Sequence, residues 1–201
     1  VDSVPDTVLS VTGAISVSDD DQGEGAFDPG TLSFGGRTNS NALDTDTAEL
    51  GTLTLLDDQG NYSFAVDNAA VQYLAAGDTV VQTWTVDSVD GSGTSTITIT
   101  INGVNDGAVV TNDARSVTED QDLNPVDSVP DTVLSVTGAI SVSDEDQGEE
   151  AFDPGTLSFG GRTNSNALDT DTAELGTLTL LDDQGNYSFA VDNAAVQYLA
   201  A

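Results

Sequence analysis

Apolar residues along this chain fall at alternate positions in short runs, and each run stops at a glycine, proline or acidic turn signal. Thr7 to Ser18 (TVLSVTGAISVS) is rich in Val, Ile, Thr and Ser and is divided by Gly13, which predicts one strand with a bulge or two short strands. The acidic loop Asp19 to Gly30 ends in a turn at Asp28-Pro29-Gly30. Thr31 to Phe34 predicts a short strand and Gly35 to Thr47 (GGRTNSNALDTDT) a polar loop. Leu50 to Leu56 and Asn61 to Val66 flank Asp57-Asp58-Gln59-Gly60, a hairpin signal in which the two aspartates read as turn residues. Leu53 and Leu55 share one face, as do Tyr62, Phe64 and Val66.

Asn68 to Ala76 alone has helical character: Asn68 is placed to cap, Val71 and Leu74 lie three apart, and Gly77 stops the run. One or two helical turns are expected there. Thr79 to Val86 then puts Val80, Trp84 and Val86 on one face, and Thr94 to Ile101 does the same for Ile97, Ile99 and Ile101. Asp90-Gly91-Ser92-Gly93 closes this second hairpin. Turn signals roughly every 8 to 12 residues, with almost no helix, predict an all-β immunoglobulin- or cadherin-like β-sandwich with Trp84 in its core.

The pattern is written twice. Residues 1–76 and 126–201 superimpose without a gap and differ only at Asp20/Glu145 and Gly25/Glu150, a period of 125 residues. A repeat of that length predicts tandem modules and not a solenoid of short units. Asn102 to Pro125 (NGVNDGAVVTNDARSVTEDQDLNP) is the seam between the copies.

Charge narrows the possible partners. Net charge is −32, from 35 acidic residues against the three arginines Arg37, Arg115 and Arg162, with no lysine or histidine. Nucleic acid and anionic membranes are therefore excluded as partners, since both are held by basic side chains. Self-repulsion of this size calls for screening by salt or divalent cations. Cysteine is absent, and no apolar run is long enough to span a bilayer. No signal peptide opens the chain, which begins and ends inside a repeat and is expected to be a window on a longer one. Strand alternation argues against the disorder that low hydrophobicity with high charge otherwise suggests.

Cation ligation is the chemistry that fits. Calcium takes six to eight oxygens at about 2.3–2.6 Å, and alternate side chains of an extended loop can converge on one ion. Asp19-Asp20-Asp21 and Asp144-Glu145-Asp146 supply that D-x-D spacing after a strand, with Glu24 and Glu149 three residues further on. Acid-rich loops are also commonly plain solvated surface. Asn61-Tyr62-Ser63 and Asn186-Tyr187-Ser188 match a glycosylation triplet but fall in predicted strands, and the triplet is frequent by chance.

Tyr62 to Asp106, YSFAVDNAAVQYLAAGDTVVQTWTVDSVDGSGTSTITITINGVND, resembles the VCBS repeat, and more distantly the bacterial cadherin-like domain of large RTX-type adhesins. The resemblance implies a calcium-rigidified extender in a secreted or cell-surface protein. It also sets the frame: residues 1–106 would be a module lacking its first segment, and 107–201 a second lacking its last strands. By analogy with cadherin seams, Asp144 and Asp146 would join Asn105, Asp106 and Asp78 around calcium, and Asp19 and Asp21 would do so at the upstream seam. Glu119 resembles the first-strand cadherin glutamate. Asn102 departs from the acid often found at its position, and no early proline follows Asp106.

Catalysis is not expected. Without histidine, cysteine or lysine there is no nucleophile–base pair and no Schiff base, and a carboxylate pair of glycosidase type would lie in repeated turns that offer no unique pocket. A structural extender is the leading expectation, its partners being neighbouring modules of the same chain and other copies by strand exchange. The alternative is a glycan- or protein-binding module acting through Gly35 to Thr47 and its arginine, although that loop carries no aromatic residue.

Overall fold

The computed structural model describes residues 7–121, 132–165 and 169–199. Asp122 to Pro125, the end of the predicted seam, lies outside them. The chain is all-β and divides into two compact units, Val1–Gly107 with Glu145–Gly148, and Ala108–Asp144 with Glu149–Ala201.

Among its described residues the first unit contains six strands: β1 (Val8–Ala14), β2 (Ser33–Asn39), β3 (Thr52–Leu55), β4 (Asn61–Asp67), β5 (Thr79–Asp87) and β6 (Thr94–Asn102). They form two antiparallel three-stranded sheets, ordered β1-β4-β3 and β2-β5-β6. Alternation puts Leu53, Phe64 and Val66 of the first sheet against Val80, Trp84, Ile97, Ile99 and Ile101 of the second in one core. Val71 and Leu74 join it. Trp84 is its largest member, 2% exposed, with its ring centroid 5.5 Å from Phe34 and 5.6 Å from Phe64. Edge-to-face and tilted aromatic pairs of this kind add about 0.5–1.5 kcal/mol each beyond area burial.

Three local expectations are corrected. The strand expected at Thr31–Phe34 is Ser33–Asn39, so Gly35 and Gly36 lie inside β2, where the register shifts between Phe34 and Gly36. Pairing to β5 carries the ladder through two glycines that read locally as loop. The expected helical turn is present as a single 3-10 turn, Asn68–Ala70, but its cap is corrected: the Asp67 carboxylate, 3.0 Å from Ala69 N, takes that place and not Asn68. Finally, Gly13 introduces no bulge into β1, which pairs with β4 without a register shift. Glycine is required because a Cβ there would stand 2.3 Å from the Tyr62 hydroxyl.

In the second unit, β7 (Val109–Val110) pairs with β9 (Val142–Ser143), while β8 (Val133–Ala139), β10 (Thr177–Leu180) and β11 (Asn186–Asp192) form a sheet ordered β10-β11-β8. Here the repeat of Thr7–Ser18 forms two strands, which is the second of the two expectations for that stretch. Its core is smaller: Leu134, Val191 and Val196, with Val117, Leu175 and Phe189 packed against them.

Candidate functional site

After β1 the backbone folds into a tight acidic loop. The Asp21 N–H donates to Asp19 Oδ1 at 2.8 Å, the Glu24 N–H donates to the Asp21 carbonyl at 3.3 Å, and Gly23 takes φ +93°, a region that favours glycine. These turns gather carboxylate oxygens of Asp19, Asp21 and Glu24 within 4.8 Å of one another. Like charges at about 4 Å repel by roughly 1 kcal/mol per pair in water and more near a protein surface, a cost that a divalent cation would reverse. Three hard oxygen donors with solvent-facing positions left for water suit calcium or magnesium better than a soft metal. No other set of three acidic side chains gathers in this way among the described residues.

The remaining predicted ligands have identifiable surroundings. In the first unit, Asp78 accepts from Asn41 Nδ2 at 2.9 Å and from Ser40 Oγ at 3.5 Å, so its carboxylate braces the loop after β2. Asn105 donates from its side-chain amide to the Asp106 carbonyl. The Asp106 N–H donates to Asp146 Oδ2 at 2.8 Å, and the Gln147 N–H donates to the Tyr73 carbonyl at 3.0 Å. Asp146 is fully buried, unlike its exposed counterpart Asp21. Asp144 and Glu119 belong to the second unit and are half-buried, and one Glu119 carboxylate oxygen is shielded without a hydrogen-bond partner among the described residues. Asp57 accepts from the Gln59 and Asn61 N–H groups, both at 3.0 Å, as a turn residue does.

Two polar features escaped the sequence reading. Arg37 faces inward: its guanidinium pairs with Asp44, donates to the Tyr73 hydroxyl at 2.6 Å and to the Ala48 carbonyl at 3.4 Å, and its side chain is only 2% exposed. Asn39 donates to the same Asp44 carboxylate. Burial pushes Asp44 up, but hydrogen bonding from Tyr73 and the Asp46 N–H, together with the Arg37 charge, holds its carboxyl below the ordinary range. Burial and the Asp44 carboxylate raise the Tyr73 phenol to about 12. The arginine expected to meet a ligand in the first unit is thus a structural clamp, built on a strand where a loop was expected.

Gln82 is fully buried on β5, where its amide completes a two-way pair with Leu50: Oε1 accepts from the Leu50 N–H at 2.7 Å and Nε2 donates to the Leu50 carbonyl at 3.0 Å. Trp84 Nε1 donates to Glu49 Oε1 at 3.0 Å. The signal was available, since a glutamine stands between Val80 and Trp84 on the inward phase of β5. No family model matches the chain, and no curated protein matches it.

Proposed function

We propose that this chain is a calcium-stiffened structural extender of a large secreted or cell-surface repetitive protein, with neighbouring modules as its principal partners. The observation that carries the reading is a carboxylate triplet in the loop after β1, Asp19, Asp21 and Glu24, set in a sequence repeated almost without change. A spacer needs like geometry at each repeat, and the D-x-D spacing recurs at Asp144 and Asp146, although there Asp146 is buried and the three acids do not gather as Asp19, Asp21 and Glu24 do. The likeness of Tyr62–Asp106 to the VCBS repeat points the same way, as does a charge of −32 that a bound cation would offset. Burial of Arg37 weighs against the ligand-binding alternative.

The test is a thermal melt with calcium and then with chelator, paired with small-angle scattering. One site loaded a hundredfold above its Kd stabilises the fold by about 2.7 kcal/mol. Chelation is expected to lower the melting temperature and broaden the distance distribution, and Asp19→Asn with Asp21→Asn should reproduce the chelated melt. An unchanged melt on chelation refutes the calcium reading.

A further inference from the structure

The three arginines of this chain each precede a small hydroxyl residue, in the bonds Arg37–Thr38, Arg115–Ser116 and Arg162–Thr163, and the sequence has no lysine. To an enzyme that reads one basic side chain, these bonds are alike in sequence. The fold makes them unequal. Arg37 lies on β2 with its side chain 2% exposed, paired with Asp44 and bonded to the Tyr73 hydroxyl and the Ala48 carbonyl. Arg162 is 11% exposed, pairs with Asp169, and donates to the Ala173 carbonyl at 3.2 Å and the Tyr198 hydroxyl at 3.1 Å. Arg115 is 49% exposed and pairs with Asp113 at 2.9 Å. An exposed pair of that kind is weak and exchanges readily for another carboxylate. The backbone repeats the contrast. Residues 111–118 lie in no helix, strand or turn, and Ala114, Arg115 and Ser116 are all exposed, whereas Arg37 sits in a ladder opposite Gln82. The exposed span is short and held on both sides: the Thr111 N–H donates to the Ser141 carbonyl at 2.9 Å, and Val117 packs against the core of the second unit.

We propose that the Arg115–Ser116 bond is a proteolytic processing site for a trypsin-like endoprotease, one whose specificity pocket takes an arginine against a carboxylate. Such an enzyme must draw the whole guanidinium into its pocket and hold several flanking residues extended. Arg115 meets both demands by exchanging the Asp113 carboxylate for the enzyme's, in backbone that no ladder commits. Arg37 and Arg162 would first have to leave buried ion pairs and their hydrogen bonds. The reaction is hydrolysis. Water oxygen bonds to the Arg115 carbonyl carbon, the C–N bond breaks, and the Ser116 nitrogen leaves as an amine carrying a proton from that water. The cut falls between β7 and β8 and yields residues 1–115 and 116–201, while the clamps keep the other two arginine bonds whole. The assignment does not rest on calcium binding.

The experiment is limited digestion of the full chain with trypsin in native buffer, followed by intact-mass measurement. The first fragments expected are 1–115 and 116–201, with the bonds after Arg37 and Arg162 surviving well beyond them. In urea all three bonds should be cut at similar rates, since their local sequences are alike. Arg115→Gln should slow the loss of intact native chain by about tenfold or more, because cutting then waits on opening of a clamp. That side chain is exposed, so the substitution leaves the fold in place. Arg115→Lys, which keeps a basic group, should restore the cut at the same bond. A first cut after Arg37 or Arg162 overturns the assignment, as does an intact chain lost equally fast in Arg115→Gln and wild type. A native chain that stays whole under trypsin that cuts the urea-unfolded chain overturns it too.

Discussion

Ser33–Asn39 and Ser158–Asn164 are the same seven residues, SFGGRTN, yet the first stretch is a strand and the second is not. The difference lies in what each faces. β2 has β5 alongside, supplying a ladder, Trp84 over Phe34, and a hydrogen bond between Ser33 Oγ and Thr85 Oγ1 at 3.0 Å. The comparison reverses on the other sheet. Leu9 is 40% exposed in the first unit, whereas its counterpart Leu134 is 1% exposed in the second, where Val117 packs against the core that contains it. Local sequence is constant across each pair, so β structure and burial here follow the tertiary partner and not the propensity of the stretch. The Arg-Asp-Tyr clamp persists in both units: Arg162 pairs with Asp169 and donates to the Tyr198 hydroxyl at 3.1 Å. It therefore does not depend on β2 being a strand.

The most direct way to break the comparison is to remove what β2 faces. Trp84→Ala should destabilise the first unit by about 3–5 kcal/mol, the usual range for deleting a buried aromatic. Chemical denaturation measures the loss, and amide exchange should show β2 opening toward the state of Ser158–Asn164 while β8, β10 and β11 keep their protection. Full protection of β2 in that variant would mean that backbone pairing alone orders it. Gln82→Ala is the next largest change. It leaves the Leu50 N–H and C=O without their partner, at about 1–3 kcal/mol. Exchange at Leu50 should quicken most. A stability equal to wild type would show that water replaces the glutamine amide.

Much of the fold was legible because alternation is a two-residue code. The inward faces of β4, β5 and β6, the turns at Asp57–Gly60 and Asp90–Gly93, and the burial of Trp84 all follow from it. The extent of β2 was not legible, since Gly35-Gly36 signals loop locally and only the ladder to β5 overrides it. Arg37 was misread for a related reason. A lone arginine in an acidic chain suggests an exposed charge, whereas Asp44, seven residues on, folds back to pair with it. Of the candidate ligands, Asp19 and Asp21 share a short loop whose spacing already implies proximity, and they gather with Glu24. The burial of Asp146 depends on residues distant in sequence, and no spacing rule carries that information.

A smaller effect separates the two clamps by pH. Tyr73 is raised to about 12, first by burial and then by Asp44, while Tyr198 is raised chiefly through its hydrogen bond to Asp169. A phenol whose folded value exceeds its unfolded value near 10 contributes stability that is complete below that pH and is lost as pH climbs toward 12. The first unit should therefore weaken across that window, and ultraviolet titration should find a phenol ionising near its top. Tyr73→Phe should abolish that late step. Its survival would assign the step to another of the four tyrosines.

The smallest effect concerns the hairpin turn itself. Asp90 accepts from the Ser88 hydroxyl at 2.6 Å and from the Ser92 N–H at 3.1 Å, and these bonds, the Ser88 one first, hold its carboxyl at about 2. A lowered carboxyl contributes stability present above its ordinary value of 3.8 and lost as pH falls through about 2. The side chain is exposed, so the contribution to the whole unit is slight. Asp90→Ala should speed exchange at Gly91–Gly93 and leave β2 as protected as before, since the contacts that order β2 come from Trp84, Gln82 and Thr85 further along β5. If β2 opened together with the turn, its order would depend on closure of the whole hairpin and not on those particular side chains, and the contrast between Ser33–Asn39 and Ser158–Asn164 would then reflect the presence or absence of one cooperative two-stranded element.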